Sequence, residues 1–271
     1  MLAKLIKYDI KAQVKIFSSM YIFDVILSLF SLLVSRLNKA YPQSVVISGV
    51  NTLLFAIFII GLLTTMFVSL IMVVMRYRNN LLKDEGYLMH TLPVKVSQLY
   101  FSKLISSLLW FVADIVVIYF VFSIRFLDFT WITEIVDQFM NGFSQIDDTG
   151  KFAIIMISYA GVLFIVSIMQ FFAALNLGYS VGSKREGGIN KDVLSIIMYI
   201  VSYIIIQVIS VVGIVISVVS QGIDITKELN DSLVSGYLNG VMVSQLIIAI
   251  IFGVIFGAVS IITMKKKLNL E

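Results

Sequence analysis

The 271-residue chain has no cysteine, two prolines and a single histidine, and only 13% of its residues are charged. Without cysteine there is no disulfide, no thiolate metal site and no cysteine nucleophile, and the redox compartment stays open. One histidine, His90, excludes metal sites built from several imidazoles. An enzyme also needs a nucleophile beside a base, or paired carboxylates, and neither constellation is evident. A lone loop histidine reads as a solvated or contact residue. The chain is therefore not expected to be an enzyme. The formal charge of +4 is weak evidence for an acidic partner, and no nucleic-acid partner is expected.

What the chain has in abundance is apolar surface: 59% of residues are hydrophobic and the mean hydropathy is +1.01. That demands lipid as the solvent for most of the chain. Six apolar runs stand out, at 17–34, 45–75, 104–124, 152–181, 193–220 and 241–264. The second exceeds the roughly 20 residues a bilayer requires, so it tilts or begins outside the hydrocarbon. The runs are rich in Ile and Val, but they lack strict alternation and are about twice as long as barrel strands. The expectation is an all-α membrane protein with six transmembrane helices in one transmembrane domain, 1–271.

Residues 1–16 read as an amphipathic helix lying on the membrane surface. Lys4, Lys7, Lys11 and Lys15 share one face, with Leu2, Leu5, Ile6, Ile16 and Phe17 broadly opposite. Asp9 and Gln13 fall on the apolar side. The run that follows is too long for a signal peptide and has no small-x-small cleavage site, so the terminus is expected to be retained. Basic residues set the orientation. Fifteen of the twenty lie on the side that holds both termini and the stretch 76–103, which the positive-inside rule puts in the cytoplasm. The segments 125–151 and 221–240 then face outside.

GYSVGSK at Gly178 to Lys184 comes nearest to a phosphate-binding loop. Its glycines are four apart instead of five, and it ends an apolar helix, so it reads as a flexible turn. If ATP drives this protein, another chain binds it. Asp24 and Asp114 lie inside predicted spans, where an ionisable group costs several kcal/mol unless protonated or paired. Each is a functional candidate, or the partner of a polar residue such as Gln170, Asn176, Gln207 or Gln245. Gly253 and Gly257 form G-x-x-x-G in the sixth span, with Ala249 one turn earlier, a pattern that lets helices pack closely.

The stretch 76–103 strands Leu81, Leu82, Tyr87, Leu88 and Met89 among Lys83, Asp84 and Glu85. Gly86 is expected to break a helix, and Pro93 to open the first turn of a new one. A short helix with exposed aliphatics and a tyrosine suits a groove on a soluble partner, or the lipid surface. The text KDEGYLMHTLPVKVSQLYFSKLISSLLW resembles the loop between the second and third spans of type-2, six-helix ABC transporter permeases of bacteria. Carrying that resemblance are the acidic-Gly-Tyr-Leu segment (Asp84, Glu85, Gly86, Tyr87, Leu88), then Thr91, Leu92 and Pro93, then Ser102 and Lys103.

The resemblance implies a permease subunit of the bacterial cell membrane that dimerises, as homo- or heterodimer, and docks two ATP-binding-cassette ATPase subunits. It implies a coupling helix at about 80–89, an elbow helix at 1–16 and an outer gate at 221–240. ATP and Mg would be bound by the partner ATPase and no cofactor by this chain. The segment 125–151 is longer than the family's minimal connection. An ion- or proton-coupled carrier working alone, motivated by Asp114, is a second expectation. A non-transporting scaffold or sensor subunit is a third.

Overall fold

The computed structural model describes residues 2–91, 93–127, 129–143, 149–182, 190–221 and 231–266. Every regular element among them is helical: α1 (Leu2–Ala40), α2 (Val45–Tyr77), a π-helical turn (Arg78–Leu82), α3 (Asp84–His90), α4 (Val96–Phe126), α5 (Trp131–Gly142), α6 (Thr149–Val181), α7 (Lys191–Ser220) and α8 (Asp231–Lys266). Six of these, α1, α2, α4, α6, α7 and α8, are long and apolar enough to cross a membrane. The chain divides into two compact units: Met1–Tyr77 with Phe101–Glu134, and Arg78–Tyr100 with Ile135–Glu271.

The first unit holds α1, α2 and most of α4. α1 runs unbroken for 39 residues, about 58 Å at 1.5 Å per residue. Residues 2–16, expected as a helix of their own, continue into the first span without a break. The physical reason is that 2–40 contains neither Gly nor Pro, so nothing interrupts the hydrogen-bond ladder. The helix ends where Pro42 follows Tyr41, because the residue before a proline is pushed out of the α region. Ser44 then starts α2, accepting from the Ile47 amide at 3.4 Å. Phe58, Leu62 and Val121 form the apolar core of this unit, with Val25, Phe55, Val117 and Phe122 against it.

In the second unit α6, α7 and α8 pack on one another. Val166, Ala173 and Phe256 are its core, with Met169, Ile206 and Phe252 around them. Small residues set the spacing. A Cβ added at Gly178 would come within 2.5 Å of the Ser195 amide nitrogen, so only glycine permits this approach of α6 to α7. Cβ atoms at Gly253 and Gly257 would meet Val166 Cγ2 at 3.0 Å and Met169 Cε at 2.9 Å. The G-x-x-x-G face of α8 is thus filled by α6 of the same chain. Asn190 caps α7, its side chain accepting from the Asp192 amide at 2.9 Å. Exposed Ile and Val dominate the outer faces of these helices, as a lipid-facing surface requires.

The polar connections differ from their expected extents. Arg125 belongs to the last turn of α4, and α5 forms an exposed helix inside 125–151. Of 221–240, residues 231–240 are the first turns of α8, and 222–230 lie outside the described residues. Lys184 and Arg185, which follow α6 in the sequence, lie outside them as well.

Candidate functional site

Two polar constellations stand out, one in each unit. In the first unit the buried face of α1 is polar apart from Phe17: Asp9, Gln13, Phe17, Asp24, Ser28 and Ser31. Their spacings of four, four, seven, four and three keep them in one line along the helix. Lys4, Lys7, Lys11 and Lys15 point outward and are exposed. Between Met20 and Leu33, α1 is inverted relative to a soluble amphipathic helix, with Asp24, Ser28 and Ser31 inward and Ile22, Ile26, Leu29 and Leu33 outward.

The line on α1 meets a matching line on α4, and the two helices run parallel in constant register. Lys103 Nζ donates to Asp9 Oδ1, ninety-four residues apart. Phe17 stacks on Trp110 at 4.0 Å between centroids. Tyr21 donates to Asp114 Oδ1 at 2.7 Å and Ser28 to the Val121 carbonyl at 2.8 Å, both ninety-three apart. Arg125 Nε donates to Ser31 Oγ at 2.6 Å, again ninety-four apart. α2 closes the seam from a third side. Thr65 donates to Asp24 Oδ2 at 2.8 Å, and Arg76 lies 3.8 Å from Asp9. Arg125 also reaches Asn51 at 3.4 Å and stands over the rings of Phe55 and Phe126.

Asp24 and Asp114 are each only 1% exposed. Their partners are Thr65 and Tyr21, not the amides considered from sequence. Gln170 instead bonds Ser202, and Gln245 bonds the Ser210 carbonyl, both in the second unit. Sequence reasoning missed the Asp9–Lys103 pair and the burial of Arg125. The available signal was the misfit of Asp9 and Gln13 among the apolar residues of the first four turns, continued by Asp24, Ser28 and Ser31 on the same line.

The second constellation lies at the loop 76–103. The expected single helix is split at Lys83 into the π-helical turn and α3. Gly86 does not break a helix; it lies within α3 and is buried. Leu81 and Leu82 are buried, so they hold the turn in place and are not available to a partner. The turn packs on α3 and on α6. Tyr87 and Leu88, by contrast, are 67% and 66% exposed. Glu85 Oε2 accepts from Asn80 Nδ2 at 2.6 Å, bracing α3 on the turn. The side chain of Asp84 lies outside the described residues. Thr91 ends α3, its amide donating to the Tyr87 carbonyl at 3.2 Å and its hydroxyl to the Leu88 carbonyl at 2.8 Å. Pro93 sits in a bend three residues ahead of α4 and does not occupy a first helical turn.

This mount is anchored ionically. Arg78 Nε donates to Asp192 Oδ1 at 2.7 Å while Nη2 engages Oδ2, a bidentate grip. Tyr179 donates to the same Asp192 Oδ1 at 2.7 Å, and Arg78 Nε lies 3.0 Å from its hydroxyl. The π-helical turn is thereby tied to the end of α6 and the start of α7. Partial burial holds the His90 imidazole below its usual value near 6.5, opposed in part by a hydrogen bond with the Leu81 backbone. Among the described residues no group of three or more His, Cys, Asp or Glu side chains is placed to hold a metal ion. Compared with protein-family models, curated proteins and solved structures, the chain matches none.

Proposed function

We propose that this chain is the membrane subunit of an ATP-binding-cassette exporter, worked by a separate ATPase that docks on α3. The carrying observation is the pairing of exposed Tyr87 and Leu88 with a rigid mount behind them. An apolar pair on a short, braced helix is the form expected of a plug for a protein groove. The Arg78–Asp192–Tyr179 anchor would keep a push on α3 from being absorbed by local bending. The likeness of 83–110 to the coupling loop of six-helix permeases supports the same reading, as do six apolar helices of spanning length. In this proposal the ATPase binds ATP and Mg, and the permease pairs with a second permease subunit. It sits in the bacterial cell membrane, with both termini and α3 in the cytoplasm.

The test is Leu88→Asp, co-expressed with the ATPase and reconstituted. The exposed side chain leaves the fold intact, so the variant is expected to insert normally while export uncouples from ATP hydrolysis. Glu85→Lys is a less clean variant, because it also removes the brace to Asn80. Unchanged export by Leu88→Asp, or transport on an ion gradient by this polypeptide alone, refutes the proposal.

A further inference from the structure

Asp24 and Asp114 are two carboxyl groups inside the first unit, and among the described residues neither has an ion-pair partner. The basic side chains of the seam are engaged elsewhere among the described residues: Lys103 and Arg76 with Asp9, and Arg125 with Ser31 and Asn51. Lys103 and Arg125 each stand eleven residues from Asp114 along α4, about 16 Å of helical rise. Each acid has one oxygen satisfied and one not. Tyr21 supplies Asp114 Oδ1 and Thr65 supplies Asp24 Oδ2, while Asp114 Oδ2 and Asp24 Oδ1 are buried without a partner. Ser69 is wholly buried beside Asp114, and its hydroxyl too is left without a partner. Three buried oxygens on Asp24, Asp114 and Ser69 thus have nothing supplied to them.

A cleft of about 480 Å³ between α1 and α2 lies beside Asp24, separated from it by the residues of its floor. Ser19, Phe23, Gly61, Thr64 and Thr65 are among its lining residues, and Thr65 is the hydroxyl that bonds Asp24. A Cβ at Gly61 would lie 4.0 Å from Asp24 Oδ1 and 2.8 Å from Leu27 Cδ2, so glycine keeps the floor of the cleft open toward the acid.

We propose that Asp24 and Asp114 form a protonation site within the membrane domain, exchanging protons with water through the α1–α2 cleft. The ligand is the proton, and the step is one O–H bond made or broken on a carboxyl oxygen, with water as the other party. A neutral carboxyl removes the uncompensated charge and supplies the missing donor, which Ser69 is placed to accept. Among the described residues, the titratable and charged groups facing the pair are Tyr21 from α1 and the two acids themselves, and α2 contributes the neutral hydroxyls of Thr65 and Ser69.

The test is infrared spectroscopy of the full chain in phosphatidylcholine–phosphatidylglycerol vesicles, with no ATPase needed, so its outcome is separable from that of the export proposal. Wild type is expected to show a carboxylic C=O band at neutral pH that shifts in D2O. The band should weaken about twofold in Asp24→Asn or Asp114→Asn and vanish in the double variant. Thr64→Phe, which fills the cleft, should slow the D2O shift at least severalfold. No band, a band that never shifts in D2O, or a band removed by sodium at constant pH each overturns the proposal. An unaltered exchange rate in Thr64→Phe overturns the route. If an Asn variant fails to fold, the wild-type response to pH, D2O and sodium decides alone.

Discussion

Replacing Lys103 by methionine isolates the energetics of the seam between α1 and α4. Lys103 is 2% exposed and Asp9 4%, and the two are bonded directly. Methionine keeps the length of the aliphatic stem, so the change is chiefly electrical. Removing one member of a buried ion pair costs about 3–5 kcal/mol, because the remaining charge stays desolvated. Here Arg76 stands 3.8 Å from Asp9 and is partly exposed, so it offsets some of that loss. The expected cost is therefore at the low end, about 3 kcal/mol, or roughly a 150-fold fall in the folded-to-unfolded ratio. Asp9→Leu combined with Lys103→Met removes both charges and should return to within about 1 kcal/mol of wild type. Reversible unfolding in mixed detergent micelles, run as a double-mutant cycle, reads both values. A Lys103→Met variant within about 1 kcal/mol of wild type, or a double variant as unstable as the single, would refute the assignment of this pair as a buried bridge.

Two further outcomes follow from the same structure. Because the chain contains no cysteine, introduced pairs report without background. Phe17→Cys with Trp110→Cys should join through a short bis-maleimide, whereas Phe17→Cys with Val121→Cys, eleven residues out of register, should not; the reverse pattern disproves the parallel register. For His90, burial favours the neutral ring, so its stabilising contribution is complete above the ordinary value near 6.5 and is lost as pH falls through the lower folded value. Protection of the α3 amides, taken relative to the intrinsic exchange rate at each pH, should fall as pH drops below the ordinary histidine value near 6.5 in wild type and lose that dependence in His90→Asn; a flat wild-type protection profile removes the histidine from the account.

Some of this was legible because lipid imposes a simple rule. A bilayer-spanning backbone must satisfy its own polar groups, so long apolar runs without alternation become helices whatever their neighbours, and six runs became six long helices. The spacing of Gly253 and Gly257 likewise announced a close helix contact, which α6 fills. At 1–16 the expected helix runs on unbroken into the first span. In the sequence its lysine face stands out, whereas the buried face is the polar one that carries Asp9 and Gln13. In the loop 76–103 composition located the segment, while the split at Lys83 and the opposite fates of Leu82 and Leu88 were invisible to it. Both are leucines in a polar stretch, and only packing on α6 separates them.

Chain chemistry alone determined that this is a helical protein for a bilayer, with Asp24 and Asp114 as exceptions that had to be accommodated inside it. Tertiary structure decided what accommodates them. Which hydroxyl meets which carboxyl, and which lysine meets Asp9, depends on the register of α1 against α4. That register arises from pairings about ninety-three residues apart, which no local pattern encodes.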